Sequence, residues 1–169
     1  MVSITEFWQV ISTIGDFKIW GGIILLILAT FVISPNFFKR CKVVWLVFVL
    51  VPTIIVSAGV SEAVKIIAHL PRPCVGNADC PSGFSFPSRH AVTLFAFAAV
   101  VMLNVKKVSL KLASLTLAIL VSITRVALNQ HSYIDIIAGA IIGILVAYLA
   151  NVIYNRHILN LKAFKSIVS

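Results

Sequence analysis

Three stretches of this chain place charged and hydrogen-bonding side chains at spacings that can do chemistry: "KIIAHLPRP" at 65–73, "PSRH" at 87–90 and "TRVALNQHSYID" at 124–135. Together they supply four cations, Lys65, Arg72, Arg89 and Arg125, and three histidines, of which His90 and His131 stand beside the cations. Cations gathered at the ends of apolar segments repel one another, and each costs about 3 kcal/mol when placed within a membrane span. The only nearby acids are Glu62 and Asp135, so an exogenous anion such as phosphate is the simplest counter-charge. In "FPSRHAV", Pro87 ends a loop and Ser88 reads as an N-cap. The first backbone N–H groups of the helix that follows would then form an anion site. Ser132, with Asp135 three residues later, fits a capping box for the next helix. His131 and Asp135 are four apart and share a face if that helix starts by 131. The carboxylate could then hold one imidazole nitrogen while the other points at substrate. Asp135 can cap or orient, and the spacing alone does not decide between the two.

Two histidines among cations suit covalent phosphoryl transfer. One, unprotonated and oriented by a carboxylate, attacks phosphorus, and the other, protonated, donates to the departing oxygen. Arginine and lysine side chains hold the equatorial oxygens, arginine bidentately. The surrounding cations disfavour a divalent ion at His90, His131 and Asp135, so no metal or other cofactor is expected.

These residues sit on elements that belong in a bilayer. Of 169 residues 60% are hydrophobic and only 11% charged, with a mean hydropathy of +1.08, which no ordinary soluble domain approaches. Apolar runs at 19–34, 43–61, 91–103, 108–126 and 136–154 are long enough, or nearly so, to cross a hydrocarbon core of about 30 Å. The reading is an all-α integral membrane bundle of five transmembrane helices, the first and third short. An amphipathic N-terminal segment, "ITEFWQVISTIGDF", would lie in the interface. No repeat or linker divides residues 1–169, so a single domain is expected.

The net charge of +9 is explained by topology rather than by nucleic acid. Lys39, Arg40 and Lys42, then Lys106, Lys107 and Lys111, then Arg156, Lys162 and Lys165 fall on one side of five crossings. The positive-inside rule makes that side cytoplasmic, with the C-terminus. All five acids and the chemistry-bearing cations face the other side, placing the site at the periplasmic or extracellular face of a plasma membrane. Cys74 and Cys80 lie in the long outer loop with five residues between them. An oxidising exterior would let them pair, worth about 2 kcal/mol at most; free thiols remain the alternative. Trp8, Trp20 and Trp45 read as interfacial anchors, and His69 and His157 as bland positions.

Lys65, six residues, then Arg72-Pro73; Pro87-Ser88-x-His90; and Thr124-Arg125, five residues, His131, three residues, Asp135 together resemble the tripartite signature of the type 2 phosphatidic acid phosphatase (PAP2) superfamily. The match spans 65–135 with all three parts in order. The resemblance implies that His131 is the nucleophile forming a phosphohistidine, Asp135 its orienting partner and His90 the acid that protonates the leaving group. Lys65, Arg72, Ser88 and Arg125 would bind phosphate. Two positions depart from the pattern: Thr124 stands where the family has Ser, and Arg89 where it has Gly. Arg89 is tolerated if its backbone is helical, and would add a contact at the rim, aimed at the scissile phosphate, at a second anionic group or at lipid headgroups.

The expected function is metal-independent hydrolysis of a membrane lipid phosphate or diphosphate. Among substrates, the resemblance to small lipid A 1-phosphatases ranks lipid A 1-phosphate ahead of undecaprenyl diphosphate and phosphatidylglycerophosphate. The alternatives are a lipid phosphotransferase using the same phosphohistidine and a non-catalytic lipid-phosphate binder. The bilayer and its lipids are the expected partners, and the oligomeric state is open.

Overall fold

The computed structural model describes residues 4–13, 44–78 and 80–158, together with Ile19, Gly21, Gly22 and Leu26. Among the described residues five α-helices follow in order: α1 Ile4–Thr13, α2 Val44–Ala68, α3 Arg89–Asn104, α4 Val108–Ala127 and α5 Tyr133–Ile153. A π-helical turn, Tyr154–Ile158, extends α5. Among the described residues there is no strand. Phe48–Ala68, Val108–Ala127 and Tyr133–Arg156 are long and apolar enough to cross a membrane. The first expected span at 19–34, the cations at 39, 40, 42, 162 and 165, Asp16, Lys18, Trp20, Cys41 and Asp79 fall largely or wholly outside the described residues.

The helices turn their apolar residues outward as well as inward. Along α5 Ile134, Ile137, Ile141, Leu145, Leu149 and Ile153 are each more than half exposed, a face that water would penalise and lipid accepts. The chain is a membrane protein. What α5 turns inward is small instead: Gly139, Gly143 and Ala147 are its buried apolar positions. They meet α3, whose Ala91, Val92, Leu94, Ala96, Ala98 and Val100 are at most 1% exposed. A Cβ on Gly139 would stand 2.8 Å from the Ala91 Cβ, and one on Gly143 would overlap the Val92 carbonyl. Only glycine lets the two backbones approach this closely, the small-xxx-small device of membrane helix pairs.

α3 has 16 residues and so rises only about 24 Å, short of a hydrocarbon core. Nine of those residues are buried against the other helices, so protein rather than lipid covers most of it. α2 and α5 pack on it at Val49, Ala99 and Ala147, and α4 packs at Ala118 and Val121.

Two boundaries differ from the apolar runs. α2 continues past Ser61 to Ala68, carrying Glu62 and Lys65 beyond the hydrophobic stretch. α5 starts at Tyr133 rather than at Ile136 because a complete capping box between Ser132 and Asp135 fixes its first turn. The C-terminal ends of α2 and α4 and the N-terminal ends of α3 and α5 thereby meet at one end of the bundle.

α1 is amphipathic, as its sequence suggests, with Phe7 and Val10 exposed and Ser12 buried. It packs on α4, and Ile11 touches the cluster of Leu94, Ala98, Ala118 and Val121.

Candidate active site

The loop between α2 and α3 is closed by a Cys74–Cys80 disulfide, the pairing rather than the free thiols of the sequence-based alternatives. Further along, Gly83 has φ +85, in the region where a side chain is strained. Its carbonyl accepts from Arg72 Nε at 3.2 Å. The Ser85 N–H donates to the Leu70 carbonyl at 2.8 Å, and the Ser88 N–H to the Asp135 carbonyl at 3.1 Å. The "FSFPSRH" stretch is thus pinned both to the first motif and to α5.

His131 and Asp135 are each 3% exposed. His131 does not lie on α5: it precedes the N-cap Ser132. It therefore reaches Asp135 across the capping turn rather than along a helix face, which corrects the sequence-based geometry. The question of whether Asp135 caps or orients resolves at one atom. Asp135 Oδ2 accepts from the Ser132 N–H at 2.7 Å and lies 3.4 Å from His131 Nδ1. Capping is the shorter contact, yet the carboxylate faces the ring as an orienting partner must.

The other face of the imidazole is defined by Arg72. Its Nη1 lies 3.1 Å from His131 Nε2 and also donates to the Gln130 carbonyl at 3.2 Å. Arginine has only donors, so Nε2 accepts through its lone pair and the proton sits on Nδ1, toward Asp135. Burial first, then the neighbouring Arg72 and Arg125 cations, push the His131 pKa well below its ordinary 6.5, with Asp135 pulling the other way. A neutral, tautomerically fixed imidazole results. The sign follows for stability too. As pH falls through 6.5 the unfolded chain takes up a proton at His131 that the folded protein does not, so stability declines toward acid.

Lys65, 7% exposed, lies within electrostatic range of Arg72, Arg89 and Arg125. Its Nζ is 3.8 Å from Glu62 Oε1. Ser88 occupies the N-cap position of α3, but its hydroxyl makes no cap bond; Oγ is buried without a hydrogen-bond partner. This corrects the reading of Ser88 as a side-chain cap and leaves both its hydroxyl and the first-turn amides of α3 open to an anion. His90 follows on the first turn of α3 and lines a polar cavity of ≈ 450 Å³ with Arg89 and Arg125.

Arg89 has an ordinary negative φ, since His69 and Asn129 are the positive-φ non-glycine residues described. Its Nη1 lies 3.3 Å from Glu62 Oε1, both side chains about half exposed, a pair worth about 0–1 kcal/mol. The Thr124 hydroxyl turns back to the Val121 carbonyl at 2.6 Å. His69 is exposed and packs edge-on to Phe84 with ring centroids 4.5 Å apart, away from the cation cluster. Among the described residues no group of three or more His, Cys, Asp or Glu is arranged to hold a metal ion.

Two residues escaped the sequence reading. Ser85, 2% exposed, donates its hydroxyl to Asp135 Oδ2 and stands 3.5 Å from His131 Nδ1. Its place three residues before Ser88 was the signal available. Ser12 of α1 accepts from Arg125 Nη1 across 113 residues, and no local pattern announces that contact.

A neutral buried imidazole backed by the Asp135 carboxylate and fronted by the Arg72 guanidinium stands at one end of a lipid-facing bundle. The model of the PAP2 superfamily matches residues 43–159, and the chain belongs to that superfamily; it is a PAP2-type phosphatase. No curated protein matches it. Among solved structures it resembles the first transmembrane PAP2-type phosphatidylglycerolphosphate phosphatase from Bacillus subtilis, with a TM-score of 0.71 and 19% identity over 91% of this chain and 78% of that one. It also resembles Aquifex aeolicus LpxE, with a TM-score of 0.68 and 22% identity over 88% and 85%.

Proposed function

We propose that this protein hydrolyses the phosphate of a membrane lipid through a phosphohistidine on His131. The observation that carries the reading is the buried His131 ring, with Nδ1 toward Asp135 and the Nε2 lone pair toward Arg72. Nε2 attacks phosphorus, the bond from phosphorus to the lipid oxygen breaks, and His90 gives that oxygen its proton. Lys65, Arg72, Arg125, the Ser88 hydroxyl and the opening amides of α3 hold the equatorial oxygens as charge builds on them. Water, with His90 now as base, then cleaves the P–N bond and releases phosphate. Arg72 already donates to Nε2; with substrate present the same guanidinium turns its donors to a phosphate oxygen.

A lipid substrate is supported by the exposed apolar helices and by an apolar groove of ≈ 410 Å³ between α2 and α5. Lipid A 1-phosphate is the first candidate, with undecaprenyl diphosphate and phosphatidylglycerophosphate beside each other after it. The Cys74–Cys80 disulfide supports a periplasmic or extracellular site in a plasma membrane with a cytoplasmic C-terminus, and a single catalytic domain is the simplest organisation. The deciding experiment follows lipid phosphates labelled in the phosphoryl group through purified protein with no added metal. Label released as inorganic phosphate supports hydrolysis, and label recovered on a second lipid supports the phosphotransferase alternative. No cleavage, or cleavage abolished by chelator, overturns the histidine mechanism.

Ser85→Ala tests the support behind the nucleophile. It removes a donor from Asp135 Oδ2, leaving more negative charge to face His131. We expect kcat to fall roughly tenfold, the scale of a lost hydrogen bond to a charged group, with KM nearly unchanged. The acid limb of the kcat profile should move to higher pH, because a less shielded carboxylate raises the imidazole pKa. Steady-state kinetics across pH reads both effects.

A further inference from the structure

The polar cavity beside His90 has a wall that the phosphatase reading does not use. It is lined by Arg89, His90 and Arg125 on one side and by Gln9, Ser12 and Thr13 of α1 on another, with Gln130 between. His131, Arg72 and Asp135 do not line it. If His90 protonates the leaving oxygen, the cavity is therefore on the leaving-group side of the scissile bond, and α1 faces the part of the substrate that departs. The contribution of α1 is neutral, made of an amide and two hydroxyls. Such groups both donate and accept hydrogen bonds, which matches a hydroxyl-bearing headgroup. Thr13 Oγ1 donates to the Val10 carbonyl at 2.6 Å and Ser12 Oγ accepts from Arg125, so a bare alkyl chain would strand the Gln9 amide above all, at a cost of about 1–3 kcal/mol.

α1 also reaches the cation cluster. Ser12 is 4% exposed, and its Oγ accepts from Arg125 Nη1. The opposite face of the helix presents Phe7 and Val10, 53% and 66% exposed, as an interfacial helix presents its apolar side to lipid. One short helix thus touches the bilayer on one face and an anion-binding arginine on the other.

We propose that α1 is part of the substrate-binding apparatus: Ser12 is a positioning residue for Arg125, and Gln9 and Thr13 form a subsite for a hydroxyl-bearing leaving group, a sugar or glycerol next to the scissile phosphate. The subsite rests on the phosphatase reading above; the role of Ser12 rests only on Arg125 binding an anion.

Two measurements test this on the full chain in lipid nanodiscs. First, inorganic phosphate is titrated while the thermal unfolding midpoint is followed. The concentration giving half the stabilisation should rise about fivefold in Ser12→Ala, the scale of one hydrogen bond, and return to within about twofold of wild type in Ser12→Thr, which keeps the hydroxyl. A purely structural role would lower the starting midpoint without moving the titration, and that result overturns the positioning role. Second, kcat/KM is compared between a lipid phosphorylated on a sugar or glycerol hydroxyl and a phosphorylated long-chain alcohol. Gln9→Ala should lower the ratio of the two by about tenfold; an unchanged ratio overturns the subsite. If wild-type protein cleaves neither lipid, the phosphatase reading fails on its own. The phosphate titration still decides Ser12, and the intact lipids, used as ligands in the same titration, decide Gln9.

Discussion

His131→Ala should reduce phosphate release on the order of 10^4-fold, the scale seen when a nucleophile is removed from a group of residues that act as one. The variant should still bind inorganic phosphate, because the proposed ligands Lys65, Arg72, Arg125 and the open end of α3 remain. The two measurements together separate an enzyme from a binder. A non-catalytic lipid-phosphate binder shows no turnover in either protein, whereas a phosphohistidine enzyme shows turnover only with His131 present. Labelling quenched in alkaline denaturant sharpens the result. Wild-type protein should hold label in an acid-labile, base-stable bond during turnover, and His131→Ala should hold none. His90→Ala should cost about 10^2- to 10^4-fold, the usual contribution of a positioned acid, and less on a substrate whose leaving group needs no proton. If His131→Ala retains more than a few per cent of wild-type turnover, the nucleophile is another residue.

The second large effect is far from the chemistry. Gly143→Val should unfold or severely destabilise the protein, because a Cβ there overlaps the Val92 carbonyl and stands 2.9 Å from the Ala96 amide nitrogen. Both are helical backbone that cannot rotate aside. Overpacking by side chains alone costs about 1–3 kcal/mol, and a backbone clash has less room to relax. Separating α3 from α5 would also strain the Ser88 N–H to Asp135 carbonyl bond, 3.1 Å long, which joins the N-cap of α3 to the first turn of α5. Stability and activity should therefore fall together. Gly59→Ala is the control: a Cβ on Gly59 meets nothing within 4 Å, so its unfolding midpoint should stay near that of wild type. Thermal unfolding of the purified protein in detergent, followed by circular dichroism, checks both. A Gly143→Val protein as stable as wild type would mean that the α3–α5 contact is looser than described.

Much of this protein is legible in its sequence because membrane physics leaves few options. Apolar runs near helix length must become helices, since lipid satisfies no backbone group. This is why the runs at 108–126 and 136–154 correspond so nearly to α4 and α5. Charge that lipid penalises must have a reason to be there, so Lys65, Arg72, Arg89, Arg125, His90 and His131 stood out as chemistry before any fold was known. The PAP2 motifs turned that into a family, and the spacing of Ser132 and Asp135 set the first turn of α5. Each run, cap and motif part is local, set by residues within a few positions of one another, though the three motif parts together spread over 65–135.

Tertiary structure decided what depends on residues distant in the chain. The sequence could not say whether Asp135 caps or orients, because the answer depends on where His131 and Ser85 stand around one carboxylate oxygen. It marked Ser88 as a cap, but the turn holds that hydroxyl away from the helix's own amides. The glycines of α5 read as part of an apolar run, and only their contact with the α3 backbone shows why no side chain fits. The bond between Ser12 and Arg125 spans 113 residues and follows from α1 packing on α4, a contact that neither hydropathy nor motif spacing encodes.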